Sequence, residues 1–294
     1  MNNNDSIYRF IFENHSVRGQ WVRLNQSYST IVNQHQYPPL IKKLLGEMLV
    51  VVTMLSAIVK FKGRLTVQFQ GKSKLKLLLA QCDQDFHLRG LAQWLSEIRE
   101  EELGALFKEG LMVITIDPDK GGNRYQGMVA WEGNSIAQSI EGYFRTSEQI
   151  PTRLWIEVNE TSATGLLLQV MPKGMSKSNY DDNGWEHLIH LTDTITPHEL
   201  ATLDPVTLLR RLYVQEEVRI FQPEPVLFRC NCSVTRSENA LLILGREEVE
   251  QELKDKQKIV VTCDFCSKEY SFDRVDVAQI FSKGDKPPSS TQVH

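Results

Sequence analysis

The strongest constraint in this chain is a set of two close cysteine pairs, Cys230-Asn231-Cys232 and Cys263-Asp264-Phe265-Cys266, which hold four of its five cysteines. Thiolates at this spacing form a tetrahedral donor set suited to a closed, four-coordinate Zn²⁺ site. The bland alternative is four unligated thiols that merely fall near one another. A closed site can be a structural clip, the knuckle of a nucleic-acid binder or a redox-sensitive latch, and spacing alone does not choose among them.

A chain of 294 residues with 41% hydrophobic content exceeds one average domain and can fill a sizeable core. Two domains plus connections are therefore expected, the cysteine cluster forming the smaller. The formal net charge of −4 gives no general attraction to a polyphosphate backbone. The odd cysteine count, with Cys82 remote from the others, does not match a secreted disulfide framework. It fits a reducing cytoplasm in which paired cysteines hold metal. The first residues carry no basic stretch followed by an apolar one, so no secretory signal is expected. The most apolar run, residues 44–59, contains Glu47 and is shorter than the roughly 20 residues that span a bilayer. It reads as a buried helix.

Taken in order, residues 17–24 read as a short strand. Pro38-Pro39 opens a helix in which Leu40, Leu44, Met48, Val51, Val52, Leu55 and Val59 recur at helical spacing, the central helix of the large domain. Alternation at Leu65, Val67 and Phe69, a Gly71-Lys72-Ser73 turn and the run at 75–79 predict a hairpin. The turn resembles the end of a phosphate loop, but Thr66 stands where that motif needs Gly, which excludes a Walker site. Residues 91–107 read as helical, with Glu100-Glu101-Glu102 as a solvated face. Strands are expected at 111–116, 125–131, 154–158 and 166–170, and a short helix at 135–144. Adjacent hairpins with intervening helices favour an α+β core over a doubly wound parallel sheet.

A polar stretch at 175–184 marks the exit from that core. Thr196-Pro197-His198-Glu199 fits a capping box, and Asp204-Pro205 starts another helix. Helices this short are not stable alone and must lean on a surface. Residues 275–281 allow a last turn or two of helix before a tail expected to be disordered.

The chain carries no nucleophile elbow, dinucleotide glycine fingerprint or His-Glu-x-x-His motif, so no enzymatic activity is expected. His187 and His190 share a helical face but lack a third ligand, and Cys82 reads as a small buried apolar residue. The four-cysteine cluster differs because its chemistry contains a switch. Metal binding keeps thiols deprotonated, and thiolate is the form that peroxide or hypochlorous acid attacks. Cys230 with Cys232 and Cys263 with Cys266 are the short routes to two disulfides.

The cysteine pairs are joined by Tyr270-Ser271-Phe272, Leu44-Leu45-Gly46-Glu47, Val67-Gln68-Phe69-Gln70-Gly71, Tyr125-Gln126-Gly127 and the string from Tyr143 to Thr152 that contains Ser147-Glu148-Gln149-Ile150-Pro151-Thr152. In these residues, and across nearly its whole length, the chain closely resembles the redox-regulated heat-shock protein 33 (HslO) chaperone family. The resemblance implies an α+β N-terminal core for dimerisation and client binding at 1–176 and a metastable helical linker at 177–228. It also implies a small zinc-binding redox domain at 229–282 and a disordered tail at 283–294. It further implies a cytoplasmic, ATP-independent holdase, inactive while Cys230, Cys232, Cys263 and Cys266 hold one Zn²⁺ per chain in the reduced state. Oxidative stress would then form two disulfides, expel zinc, unfold the C-terminal region and yield a homodimer that protects unfolding clients from aggregation. No specific nucleic acid and no membrane span are expected. The alternative from another class is a cytoplasmic zinc-ribbon protein that binds nucleic acid. The acidic balance and the prominence of Glu247, Glu248, Glu250 and Glu252 near the cysteines argue against it.

Overall fold

The computed structural model describes residues 5–59, 61–119, 122–133, 135–171 and 182–284. Most of the expected polar exit at 175–184 and nearly all of the expected tail at 283–294 lie outside the described residues. The chain divides into two compact units, Met1–Arg229 and Cys230–His294.

The first unit opens with β1 (Ser6–Phe12), β2 (Val17–Leu24), α1 (Gln26–Val32) and α2 (Pro39–Ile58). Then come β3 (Gly63–Gln70), β4 (Leu75–Asp83), β5 (His87–Trp94), α3 (Leu103–Lys108), β6 (Leu111–Pro118), β7 (Tyr125–Val129), α4 (Ile136–Tyr143), β8 (Thr152–Val158) and β9 (Ala163–Val170). The unit closes with α5 (Asp182–Thr192), α6 (Pro197–Thr202), α7 (Pro205–Leu212), β10 (Val218–Ile220), β11 (Glu224–Pro225) and β12 (Leu227–Phe228). One sheet has the order β10-β1-β2-β9-β8, with β11 also paired to β1, and the other the order β12-β5-β4-β3-β6-β7. Every pairing is antiparallel except that of β12 with β5. This is the mixed α+β architecture that the pattern of hairpins and helices predicts.

Helix α2 lies between the two sheets and touches β2, β8 and β9 on one side and β3, β4 and β5 on the other. Thirteen of its 20 residues are buried; from Met48 to Ser56 it has no solvent stripe and is covered all round, while Lys43 nearer its start is exposed. Its two polar side chains in this stretch turn back on the helix: Thr53 Oγ1 donates to the Leu49 carbonyl at 2.7 Å and Ser56 Oγ to that of Val52 at 2.8 Å. Close approach to β9 depends on Gly165, where a Cβ would sit 2.4 Å from Val50 Cγ1.

Strand β9 is buried along its whole length, which explains why Leu166, Leu167 and Leu168 run on without polar alternation. Leu167 joins the core around α2, whereas Leu166 and Leu168 face the opposite way. On that outer face Phe10, Phe12, Val17 and Trp21 pack with Leu188, Leu200, Leu208, Leu209, Leu212 and Tyr213. The short helices α5–α7 therefore lean on the outer face of the first sheet. Their ends are capped as the sequence predicts: Thr196 and Glu199 form a capping box, and Asp204 accepts the Val206 and Thr207 amides.

The helix predicted over residues 91–107 is not there. Strand β5 runs through Leu91 and Ala92 to Trp94, which pairs with Leu75, and only a 3₁₀ turn at Glu100–Glu102 and α3 are helical. Pairing with β4 outweighs local helical preference, since ladder bonds and burial against α2 come together only in the strand. Strand β1 escapes a period-two reading because both its faces are buried: Ile7 looks toward α2, while Phe10 and Phe12 look toward α5–α7.

The second unit contains α8 (Val234–Leu244), α9 (Arg246–Asp255), a hairpin of β13 (Ile259–Thr262) and β14 (Glu269–Phe272), and α10 (Arg274–Gly284). Eight buried apolar residues form its core, among them Leu241, Val249, Leu253, Phe272 and Ile280. A core of this size rarely supplies more than about 3–5 kcal/mol.

One carboxylate of the first unit carries a pH signature. Glu47, on α2, lies beneath its neighbours, and burial pushes its carboxyl from 4.5 up to about 7 despite the nearby Lys43. A raised acid pKa means that the folded state holds a proton the unfolded chain has lost between pH 4.5 and 7. Its contribution is therefore full below that window and declines as pH rises through it. Glu47→Gln should flatten the fall in melting temperature between mildly acidic and mildly alkaline buffer, a trend that thermal melts across this range will measure.

Candidate metal centre

Each cysteine pair is placed by a simple local device. Cys230 and Cys232 immediately precede α8, whose N-cap Ser233 accepts the Arg236 amide through its hydroxyl. Cys263 and Cys266 occupy the turn between β13 and β14. There the Ser267 amide donates to the Cys263 carbonyl at 2.8 Å, and the Cys263 amide donates to the Lys268 carbonyl at 2.9 Å. Ser267 takes a left-handed conformation, φ 55°, which closes the turn and gathers both thiols on one side.

The four sulfurs lie within 4.8 Å of one another. Cys230 Sγ is 3.7 Å from Cys263 Sγ, and Cys232 Sγ is 3.4 Å from Cys266 Sγ. A tetrahedron with metal–sulfur distances of about 2.3 Å has sulfur–sulfur edges of roughly 3.8 Å. The group therefore fits one tetrahedral thiophilic cation, and its spacing is far beyond the roughly 2.05 Å of a disulfide bond. Both of these approaches cross between the two pairs. All four cysteines are free thiols, and each is half-buried.

Electrostatics within the cluster also calls for a cation. Burial works against ionisation at Cys232, yet the hydrogen bond from the Tyr270 hydroxyl at 3.2 Å and the surrounding thiols outweigh it and bring Cys232 down to about 7. Burial, together with neighbouring sulfurs, pushes Cys266 up to about 12, and Cys230 is also raised, by burial first. Donating to Cys232 in turn pushes Tyr270 up to about 12. One thiolate thus makes the next harder to form, and a divalent cation removes that conflict by screening all four.

Among the described residues, the remaining chemistry-bearing groups form no comparable four-ligand site. Cys82 is fully buried, its thiol pushed up to about 12 by desolvation, so it is inert to oxidants that act on thiolate. His187 and His190 do not converge: His187 Nε2 contacts Glu216 at 3.0 Å, while His190 Nδ1 contacts the Glu186 carbonyl at 2.7 Å. Asp83, Asp85 and His87 also approach one another, a grouping whose wide spacing from the cysteines gave no signal in the sequence. There Asp83 accepts the amides of Asp85 and His87 and pairs with His87 Nδ1 at 3.0 Å, while Arg229 Nη1 meets His87 Nε2 at 3.3 Å. These contacts make it a strand-to-strand turn. Tyr270 is the site residue that cysteine spacing did not reveal; its signal in the sequence is the Tyr270-Ser271-Phe272 string that follows the second pair, which carries the resemblance and not this contact.

Fold and site together define a two-unit protein, an α+β body joined to a small module whose four cysteines could hold a metal ion. The model of the Hsp33 protein family matches residues 5–273. The 33 kDa chaperonin of Pseudomonas aeruginosa is 42% identical over 297 residues, covering 99% of this chain and all of that protein. The 33 kDa chaperonin of Serratia proteamaculans is 44% identical over 287 residues, covering 96% and 97%. The crystal structure of the 33 kDa chaperonin (heat shock protein 33 homolog) from Thermotoga maritima superposes with a TM-score of 0.81, covering 97% of this chain and all of that one. At 21% identity this last likeness speaks for the fold alone. The chain belongs to the Hsp33 family.

Tyr270→Phe tests the outer support of the centre. Loss of its hydrogen bond to Cys232 should lower metal affinity by about 10–100-fold without unfolding the loaded protein, measured by competition with a chromogenic chelator.

Proposed function

We propose that this protein is an ATP-independent holdase, off when its four cysteines are reduced and bound to zinc and on when they are oxidised. One observation carries the reading. The apolar outer face of the first sheet is covered by three helices of only 11, 6 and 8 residues, and the chain that follows them runs directly into Cys230. Such helices owe their stability to packing, not to their own propensity.

When bound, Zn²⁺ supplies cross-linking between four thiolates, worth about 10–16 kcal/mol in small zinc modules. Cys230, Cys232, Cys263 and Cys266 provide the donor set. In oxidation, one thiolate takes OH from a peroxide to become a sulfenic acid and releases hydroxide. Its neighbour's thiolate attacks that sulfur, forms the S–S bond and expels a second hydroxide, so each disulfide consumes one peroxide. Disulfide sulfurs are no longer ligands, and the second unit's few buried residues do not hold it together unaided. Pairing of Cys230 with Cys232 and of Cys263 with Cys266 is favoured once the module opens. Closing a loop of one or two residues then costs less entropy than recapturing a partner more than 30 residues away.

Unfolding reaches the first unit through the backbone. Immediately before Cys230, β12 pairs only two residues with β5, Leu227 with His87 and Phe228 with Leu88, and the Arg229 amide adds one bond to Leu88. Strands β10 and β11 are only three and two residues long. Fraying of this edge loosens the segment 177–228, which acts as the metastable linker, and uncovers Phe10, Phe12, Trp21, Leu166 and Leu168. The exposed aromatic and aliphatic face takes up unfolding clients and supports a homodimer of activated chains. Free thiols in the resting state suit a reducing, cytoplasmic setting.

Suppression of light scattering by a thermally unfolding client, followed together with zinc release, tests the switch. Oxidised protein should suppress aggregation and reduced protein should not; equal protection with zinc retained would sink the proposal. Tryptic mapping of the oxidised chain should recover the two within-pair disulfides.

Leu209→Ala tests the cover separately. Removing this buried side chain should cost about 2–5 kcal/mol of the packing beneath α7. The reduced, zinc-loaded variant should then show part of the oxidised protein's holdase activity and faster proteolysis between residues 182 and 229. An unchanged, inactive reduced variant would separate client binding from this face.

A further inference from the structure

Past the C-terminal end of α2 lies an open cleft of about 790 Å³ between the two sheets. Its walls include Ile58, Phe61, Phe86 and Phe221, and its polar lining includes Arg9, Arg18 and Gln20 together with Lys62, Gln84 and Glu224. Arg9, Arg18 and Gln20 belong to one patch on the inner face of the first sheet, because Arg9 pairs in register with Gln20, and Arg18 with Gln169 of β9. Elsewhere that face is apolar and packs on α2, as Ile7, Val22 and Leu24 do. The polar patch begins where the helix stops.

Two features of the patch point to a ligand. Gln20 is only 2% exposed, and its Oε1 accepts no hydrogen bond among the described residues. A buried acceptor left without a donor is costly and uncommon. Arg18, half-buried, gives both Nε and Nη2 to the neutral Oε1 of Gln169, at 3.1 and 2.6 Å, while Gln169 donates onward to Thr152 at 2.8 Å. Its guanidinium is thus held by an amide, and no carboxylate among the described residues pairs with it. Burial pulls its pKa down with no acidic group opposing the effect. Arg9 is different, since Glu224 already neutralises it. The cleft therefore offers the Arg18 guanidinium without a counter-charge, a second cation in Lys62, an acceptor without a donor in Gln20 Oε1, and the rings of Phe61, Phe86 and Phe221.

We propose that this cleft binds a small amphipathic anion of the N-acyl amino acid type. A carboxylate pairs with Arg18, the adjacent amide N–H donates to Gln20 Oε1, and the acyl chain lies against Phe61, Phe86 and Phe221. Planar, two-pronged recognition of a carboxylate is the task a held guanidinium performs best. No cysteine of the thiol centre lines this site, and Phe10 on its wall is shared with the sheet face under α5–α7; binding is therefore tested on the reduced protein, where that face is covered.

Isothermal titration of the full-length, reduced, zinc-loaded protein with N-decanoylglycine and with its methyl ester tests it. The two share the apolar chain and the N–H and differ in charge. The acid should bind one per chain, with the ester weaker by about tenfold or more. Arg18→Met should erase the difference between them, and Gln20→Leu should weaken both. Gln20→Glu places a carboxylate beside Arg18 on the same strand face; it should abolish binding of the acid while leaving the melting temperature unchanged or higher. If Arg18→Met does not fold, the acid–ester comparison and the two Gln20 variants decide. Equal affinity for acid and ester, undiminished binding to Gln20→Glu, or no binding at millimolar ligand would overturn the proposal.

Discussion

A helix buried on every side from Met48 to Ser56 can exist in water only between two surfaces, and α2 compels the chain to build both. Its 20 residues put Val50 and Met54 against Gly165 on one sheet and Leu45 and Leu49 against Gly90 on the other. Burying each such side chain stabilises the fold by roughly 1.5–3 kcal/mol, so this helix organises the largest share of the first unit's core. The two-sheet arrangement creates a second requirement. The sheet containing β1, β2 and β9 has an outer face rich in aromatic and aliphatic residues, which must also be covered.

The cover is assembled from modest parts. Helices α5–α7 are capped at two of their starts, and Thr192 meets the Tyr213 hydroxyl at 2.7 Å beneath them. Glu216 is held from two sides, by His15 at 2.9 Å and His187 at 3.0 Å. These contacts position the helices but add little individually, and the apolar contact with the sheet dominates. An element whose stability is borrowed from one surface can be lost without dismantling that surface. The arrangement thus sets a sheet with its own core apart from the short helices that cover its outer face, as the proposed holdase would require.

The second unit shows the opposite balance. Its apolar core is small, and its most specific feature is a convergence of four sulfurs at edge lengths that suit a tetrahedral cation. The thiols differ accordingly: burial first raises Cys266, while the Tyr270 hydroxyl and neighbouring thiols bring Cys232 down against burial. The same closeness makes the group a donor set that could hold one metal ion.

Much of this was legible in the chain before its fold was known. The helical spacing from Leu40 to Leu55, the hairpin about Gly71-Lys72-Ser73, the caps at Thr196 and Asp204 and the four cysteines each rest on neighbours in sequence. Local geometry alone determines such features. The misread stretch at residues 91–107 and the unread strand β1 depended on distant partners, Leu75 for Trp94 and Arg23 to Arg18 for β1, which no local period reveals. Likewise, spacing identified the thiol donor set, but only the turn at Ser267 and the hydroxyl of Tyr270 decided how the sulfurs meet and which ionises first. The sequence by itself determined which residues can bind metal and which helices cannot stand alone. Tertiary structure decided what those helices cover and where Arg18 and Gln20 are left facing a cleft, because burial and pairing across the sheets are properties of space rather than of chain order.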